Sequence, residues 1–216
     1  VKMNKDSELM ILGCGGHSKI VTDVAEEIGF KNIYYLDKFN KNSEFLGRTV
    51  IRDELENYTG YFFVAIGDNH KRELIFNEFQ NKNKRSNPIS LIHPSSTISK
   101  RCSIGKGTIV MPNCVINSCS DIADGVIINA KVSVDHDNYL MSFSSLAPGV
   151  CTGGNVSIGQ RSAISIGATI KHGIKIGNDV VVGANSLVMN DIKSNQVAYG
   201  TPAKLIRQRS RGDKYL

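Results

Sequence analysis

The chain has 216 residues, with 26 lysines and arginines against 20 aspartates and glutamates, a formal charge of +6 and a pI of about 9.0. Hydrophobic residues at 41% and charged residues at 21% are ordinary for a globular protein and exclude a disordered, collagenous or low-complexity chain. No apolar run approaches the roughly 18 residues of a membrane span, and the first residues lack an apolar core followed by a small-residue cleavage site, so a soluble, cytoplasmic protein is expected.

Leu9-Met10-Ile11-Leu12 reads as a short strand running into Gly13-Cys14-Gly15-Gly16-His17, and Ser18 to Ile28 carries Ile20, Val21, Val24 and Ile28 on one helical face. Ile33 to Leu36 is a second strand ending at Asp37, and Tyr61 to Ile66 a third ending at Gly67-Asp68-Asn69; Lys71 to Phe79 has the spacing of another helix. These are βα units of a small, Rossmann-like parallel sheet over residues 1–90, and such sheets bind ligands beyond the carboxyl ends of their strands. The glycine turn lacks the third glycine of the dinucleotide fingerprint. Its N–H groups at a helix N-terminus still make a phosphate seat. Alone the turn is equally a tight bend; with Asp37 and Gly67 at neighbouring strand ends, a nucleotide site is the better reading. Pro88 and His93-Pro94 mark the crossing to a different texture.

From Ile92 to Val188 every sixth residue is aliphatic at 16 of 17 positions, Thr152 being the exception, where composition alone would supply roughly four or five. Four residues after each, the chain is usually small or β-branched, as at Ser96, Cys102, Thr108, Cys114, Ser120, Val126 and Val132. This is the hexapeptide pattern of a parallel β-helix over residues 91–192, in which six residues make one strand and one turn, and three units make a triangular coil of 18. Gly105, Gly159, Gly167, Gly177 and Gly183 follow aliphatic residues, where turning is expected to need backbone freedom. Residues 193–216 form a C-terminal extension whose last 13 residues carry Lys204, Arg207, Arg209, Arg211 and Lys214 against Asp213. A solvated tail and a contact with an anionic ligand are both open, and nucleic acid is disfavoured because no aromatic platform accompanies the charges. Cys14, Cys102, Cys114, Cys119 and Cys151 contain no CxxC pair and read as reduced thiols, so neither disulfides nor a metal site is expected.

His136 lies two residues after Val134 and His172 two after Ile170, a separation of 36 residues or two coils. They are expected in one outer column, roughly 9–10 Å apart at ordinary strand spacing, with Gly154 midway as the floor of a groove that seats a thin ligand. Asp135 and Asp137 flank His136 and suit it to be a general base, the plainer alternative being a surface histidine among surface charges. The repeat also weakens nearby, at Met141, Pro148-Gly149, Thr152 and Gly153-Gly154, as solenoids do at functional sites.

Together, Gly13 to His17, Leu36-Asp37, Ala65 to Asn69, Asn129, Val134 to Asp137 and Tyr199 to Lys204 resemble the bacterial nucleotide-aminosugar N-acetyltransferases of the bacillosamine and perosamine type. The resemblance implies a homotrimer of left-handed β-helices, acetyl-CoA between subunits, and an NDP-sugar on the N-terminal domain whose 4-amine is acetylated without a metal. It implies that Gly15, Gly16 and His17 contact the sugar nucleotide, with Asp37 near its base and Gly67 in the same pocket. It makes His136 the base, Asp137 its partner and Asn129 a neighbour, with Ile166 and Ala184 lining acetyl-CoA, to which Gly154 of the outer column is added. Two positions depart: Ser145 stands where many relatives carry a second histidine that contacts acetyl-CoA, and Lys38 follows Asp37 where many have a second acid. Serine keeps a hydroxyl for that contact. O-acetylation of a sialic acid by the same histidine, and a noncatalytic nucleotide-binding scaffold, are the alternatives.

Overall fold

An apolar run such as Leu9–Leu12 has no polar face, so it must be covered on both sides. It becomes β1 (Glu8–Leu12), the inner strand of a sheet built with α1 (Gly16–Glu27), β2 (Asn32–Leu36), β3 (Glu44–Phe45), β4 (Arg48–Ile51), β5 (Tyr61–Val64), α2 (Asn69–Lys82) and β6 (Asn87–Pro88) in a computed structural model that describes residues 7–215. The strand order is β3-β4-β2-β1-β5-β6, parallel except for the β3–β4 hairpin. That hairpin turns at Leu46-Gly47, both at positive φ, and has too little alternation to be read from sequence. Helix α2 begins two residues before the apolar spacing suggests, because the Asp68 carboxylate accepts the Lys71 N–H at 2.9 Å and caps it.

Seventeen two-residue strands follow, β7 (Leu91–Ile92) to β23 (Leu187–Val188), those up to β20 (Thr169–Ile170) each pairing with the strand 18 residues on, as in Ile109↔Ile127, Val115↔Ser133 and Asp121↔Tyr139. They form the three sheets of a left-handed parallel β-helix: face 1 through Leu91, Ile109, Ile127 and Ser145, face 2 through Val115, Ser133 and Cys151, and face 3 through Asp121, Tyr139 and Ser157. The every-sixth aliphatic residues stack inside as one continuous core from Val110 to Val188. Serines and threonines at the small positions tie coils together: Ser96, Thr108, Ser120 and Ser162 each donate to the carbonyl 15 residues on, at 2.6–2.8 Å.

Most of the repeat glycines are present for a different reason than expected. Of the five named above, only Gly167 has a positive φ, at +67°. At Gly159 and Gly177 a Cβ would instead strike the backbone of the next coil.

Face 1 does not meet solvent at its N-terminal end. Its outward residues Leu91, Ile109 and Ile127 pack with Leu9, Ile11, Val21 and Val24 of the α/β unit. Each such side chain contributes about 1.5–3 kcal/mol relative to exposure, enough to seat the two units on each other. Arg72 of α2, 1% exposed, completes the joint: it donates to the carbonyls of Ile66, Gly67, Gly125, Phe143 and Ser144 and to Asn69 Oδ1, at 2.6–3.3 Å.

The C-terminal extension is a strap rather than a solvated tail. β24 (Gln196–Gly200) joins face 1 beside β22 (Val181–Val182), and β25 (Ala203–Gln208) runs back along it. Arg209 donates to the Asp179 carbonyl at 3.1 Å, Arg211 pairs with Glu73 at 2.8 Å, and the Tyr215 hydroxyl accepts the Asn69 N–H at 2.8 Å. Two of the tail's cations, Arg209 and Arg211, are thus satisfied or paired within the chain, so the extension is not the solvated tail, one of the two readings that the sequence leaves open. Neither helix is long and apolar enough to cross a membrane.

Candidate active site

β14 (Ser133–Val134) runs into the corner Asp135-His136-Asp137, on the prism edge between faces 2 and 3. Asp137 takes the left-handed conformation, φ +56°, which aspartate tolerates better than most residues. Its carboxylate turns back to His136 Nδ1 at 2.7 Å, with both side chains about half exposed. The carboxylate holds the proton on Nδ1 and leaves the Nε2 lone pair available, and Nε2 has no hydrogen bond among the described residues. The bond from Asp137 raises the His136 pKa above the ordinary 6.5, outweighing the desolvation that opposes it, and the charges of Asp135 and Asp137 act in the same direction as the bond. Asp135 in turn accepts the His136 backbone N–H at 2.8 Å, which is the main reason its own pKa is lowered.

Coil stacking places His136, Gly154 and His172 in one column, with the Asn155 N–H on the His136 carbonyl and the Gly173 N–H on the Gly154 carbonyl, both 2.9 Å. The ring centroids of the two histidines are 6.3 Å apart, closer than coil spacing alone predicts, because the rings lean together over the glycine. A Cβ at Gly154 would sit 2.5 Å from His136 Nε2, so the imidazole itself fills the space expected for a ligand.

Two of the residues expected to line acetyl-CoA, Ile166 and Ala184, lie on a different edge from His136 and Gly154. Ile166, 58% exposed, and Ala184 stack in the column of Pro148 at the corner between faces 1 and 2, linked by the Gly167 and Asn185 N–H bonds to the Pro148 and Ile166 carbonyls. Asn129 sits on that same edge, its amide donating to the Leu146 carbonyl at 3.0 Å, and it is not beside His136. Ser145 faces outward on face 1, where its hydroxyl accepts from Asn69 Nδ2 at 3.0 Å.

At the carboxyl ends of β1 and β2 the α/β unit holds a cavity of about 560 Å³ lined by Leu12, Gly13, Leu36, Asp37, Ile66 and Leu74, among others. Gly15 and Gly16 open the helix α1 with free space where side chains would stand. His17 has its Nε2 buried with no partner, and burial followed by the charge of Arg72 pushes its pKa down to about 4, so it is neutral at neutral pH. Asp37 is engaged within the chain: its oxygens accept the Cys14 and Phe39 N–H groups, each at 3.0 Å, holding the glycine turn to the end of β2. The Gly67 carbonyl is fixed by Arg72 at 3.0 Å. Sequence pattern missed Arg72 and Asn69, which join the cavity wall to the β-helix; a cation on the helix face otherwise reserved for apolar residues was the available signal.

The α/β unit therefore rests on face 1, and His136 stands on the edge opposite that face. Within one chain the cavity and the histidine do not meet.

A left-handed helix of hexapeptide coils presenting an aspartate-bound histidine at a corner defines the hexapeptide-repeat acyltransferases. Residues 8–79 match the family model of the PglD N-terminal domain. Over 93% of its length the chain is similar to the whole of the acetyltransferase domain of PglB from Neisseria gonorrhoeae, at 32% identity and a TM-score of 0.87. It is similar over the same share to 97% of PerB from Caulobacter crescentus, solved with CoA and GDP-perosamine, at 32% identity and a TM-score of 0.83. WeeI from Acinetobacter baumannii, at 18% identity and a TM-score of 0.76 over 92% of this chain and 99% of its own, shares the fold. The chain belongs to the nucleotide-aminosugar N-acetyltransferase family.

Proposed function

We propose that this protein transfers the acetyl group of acetyl-CoA to the 4-amino group of an NDP-linked amino-dideoxy sugar, with His136 as general base. The observation that carries this is the 2.7 Å contact of His136 Nδ1 with Asp137, which leaves Nε2 as a proton acceptor of raised basicity at an exposed corner. The reading is supported by the PglB domain, solved with acetyl coenzyme A at 31% identity and a TM-score of 0.87 over 93% of this chain and 100% of its own, and by PerB with its CoA and GDP-perosamine.

The neutral sugar amine attacks the thioester carbonyl, and Nε2 accepts its proton as the C–N bond forms. Collapse of the tetrahedral oxyanion breaks the C–S bond, and the imidazolium returns the proton to the departing CoA thiolate. Asp137 stabilises the imidazolium in between, so neither a covalent enzyme intermediate nor an added reagent is required.

The separation of cavity and histidine within one chain supports a homotrimer in which neighbouring copies complete each site. Gly15, Gly16, His17 and Gly67 then meet the sugar nucleotide, Asp37 shapes the pocket through the backbone it holds, and Asn129, Ile166 and Ala184 offer an edge to acetyl-CoA. Ser145, held by Asn69, lies under the nucleotide unit rather than beside the base of its own chain. The enzyme acts in the cytoplasm, which supplies both substrates.

Thiol release with acetyl-CoA and a panel of GDP-, UDP- and dTDP-linked 4-aminosugars tests the reading, alongside sedimentation of the purified protein. Turnover of an aminosugar by a trimer is expected. Turnover of sialic acid alone, or no acetyl-CoA consumption with any acceptor, overturns it.

A further inference from the structure

We propose that Asn138 and Thr152, buried inside the β-helix, are positioning residues that clamp the backbone of His136 from beneath; this rests on the reading of His136 as the base.

The interior of the coils is apolar or small, and it departs from that rule directly under Asp135-His136-Asp137. Thr152 is the single break in the aliphatic column, and Asn138 is the single amide at the small positions. Asn138 is 0% exposed, and its Nδ2 donates to the carbonyls of Asp135 at 2.7 Å, His136 at 3.2 Å and Gly153 at 3.0 Å. Thr152, 2% exposed, accepts the Asp135 N–H on Oγ1 at 3.2 Å. Ser120 adds a bond to the Asp135 carbonyl at 2.7 Å and accepts the Asn138 N–H at 3.2 Å. The peptide groups on both sides of Asp135, and the carbonyl of His136, are therefore all held from inside.

Coil cohesion alone does not require asparagine. Serines at equivalent positions bond the carbonyl 15 residues on, and for position 138 that carbonyl is Gly153. The contacts asparagine adds beyond serine go to Asp135 and His136, its two N–H hydrogens being shared among the three carbonyls. A buried amide is costly unless bonded, and the Asn138 Oδ1 has no partner among the described residues, so its placement is explained by what Nδ2 holds.

Asn138→Ser keeps the cohesive bond and removes the amide's hold on the Asp135 and His136 carbonyls; Thr152→Val restores the aliphatic column and removes the acceptor of the Asp135 N–H. Melting temperature, kcat and both KM values are measured for each, with His136→Ala alongside. For Asn138→Ser kcat is expected to fall roughly 10–10²-fold, as a displacement of about 1 Å at a reacting group does, while KM for both substrates stays within about twofold and the protein melts as the parent does. A parental kcat in Asn138→Ser with an inactive His136→Ala overturns the clamp and leaves the base reading standing; an active His136→Ala overturns the base reading itself. A kcat loss that only tracks a lowered melting temperature also overturns the clamp. If Asn138→Ser does not fold, Thr152→Val carries the test, and an unchanged kcat there overturns the proposal.

Discussion

The imidazole of His136 lies over the bare Cα of Gly154, which is buried beneath it. A methyl group at 154 would stand 2.5 Å from Nε2 and 2.6 Å from Cε1, so Gly154→Ala must push the ring off its position. Gly154 is absent from the positive-φ residues, so alanine brings no backbone strain. We expect Gly154→Ala to fold with a stability within about 1 kcal/mol of the parent while kcat falls roughly 10–10²-fold. Steady-state kinetics and a urea melt check both halves, and a parental kcat counts against the imidazole acting from this position.

The pH dependence of turnover reads the same ring. A base must be unprotonated, so kcat/KM rises with pH through the His136 pKa and levels off above it. The bond from Asp137 is the largest reason that pKa lies above 6.5, with Asp135 adding to it; His172 is the other ring facing the site. Asp137→Asn removes the main cause, so the acid limb is expected to move to lower pH, toward the ordinary value, while the plateau drops because the imidazolium loses its carboxylate. A profile of kcat/KM between about pH 5 and 9 decides it; an unmoved acid limb shows that another group titrates.

Much of this was legible in sequence wherever a rule acts over short range. The every-sixth column from Ile92 to Val188 forces the coil, because only that register buries the aliphatic side chains together. Asp135-His136-Asp137 is legible for the same reason, the bond that orients the imidazole and the one that caps the His136 backbone N–H both joining sequence neighbours. The strap was not, since Tyr215 meets Asn69 across 146 residues and Arg209 meets Asp179 across 30, and nothing local distinguishes such arginines from solvated ones. Nor was the filled groove over Gly154, because column position fixes where a residue stands and not which way its ring leans. The opposition of His136 to the α/β unit could have been counted from three faces per coil, once Leu91, Ile109 and Ile127 were recognised as outward apolar residues on one face.

His17 makes the fold acid-sensitive. Unfolded, its imidazole binds a proton near pH 6.5; folded, burial and then the Arg72 charge hold the pKa near 4. The unfolded chain therefore binds more protons in that window, so the stability is complete above pH 6.5 and is lost as pH falls toward 4. The difference corresponds to about 3 kcal/mol. We expect the urea-melt stability of the parent to fall by about that much more than that of His17→Gln between these pH values. Parallel curves for the two proteins would place His17 in a solvated setting.

Arg72 keeps its charge at neutral pH, its pKa lowered by burial only to about 10, and it meets six oxygens instead of a carboxylate. Its acceptors come from two bodies: Ile66, which lines the α/β cavity, and its neighbour Gly67 on one side, and Gly125, Phe143 and Ser144 on the β-helix on the other. Methionine keeps an unbranched apolar stem but is shorter and supplies no donor, so Arg72→Met leaves those oxygens buried and unpaired and is expected to cost about 3 kcal/mol or more. For a chain of this size that is a melting temperature lower by about 6–12 °C. Arg72→Lys retains the charge but, as a point donor without the planar fork, reaches fewer of the six and is expected to fall between the two. Because Ile66 and Gly67 lose their anchor, KM for the sugar nucleotide should rise further than KM for acetyl-CoA in both variants. Equal changes in the two KM values would mean that the arginine supports only the joint between the units and does not shape the cavity.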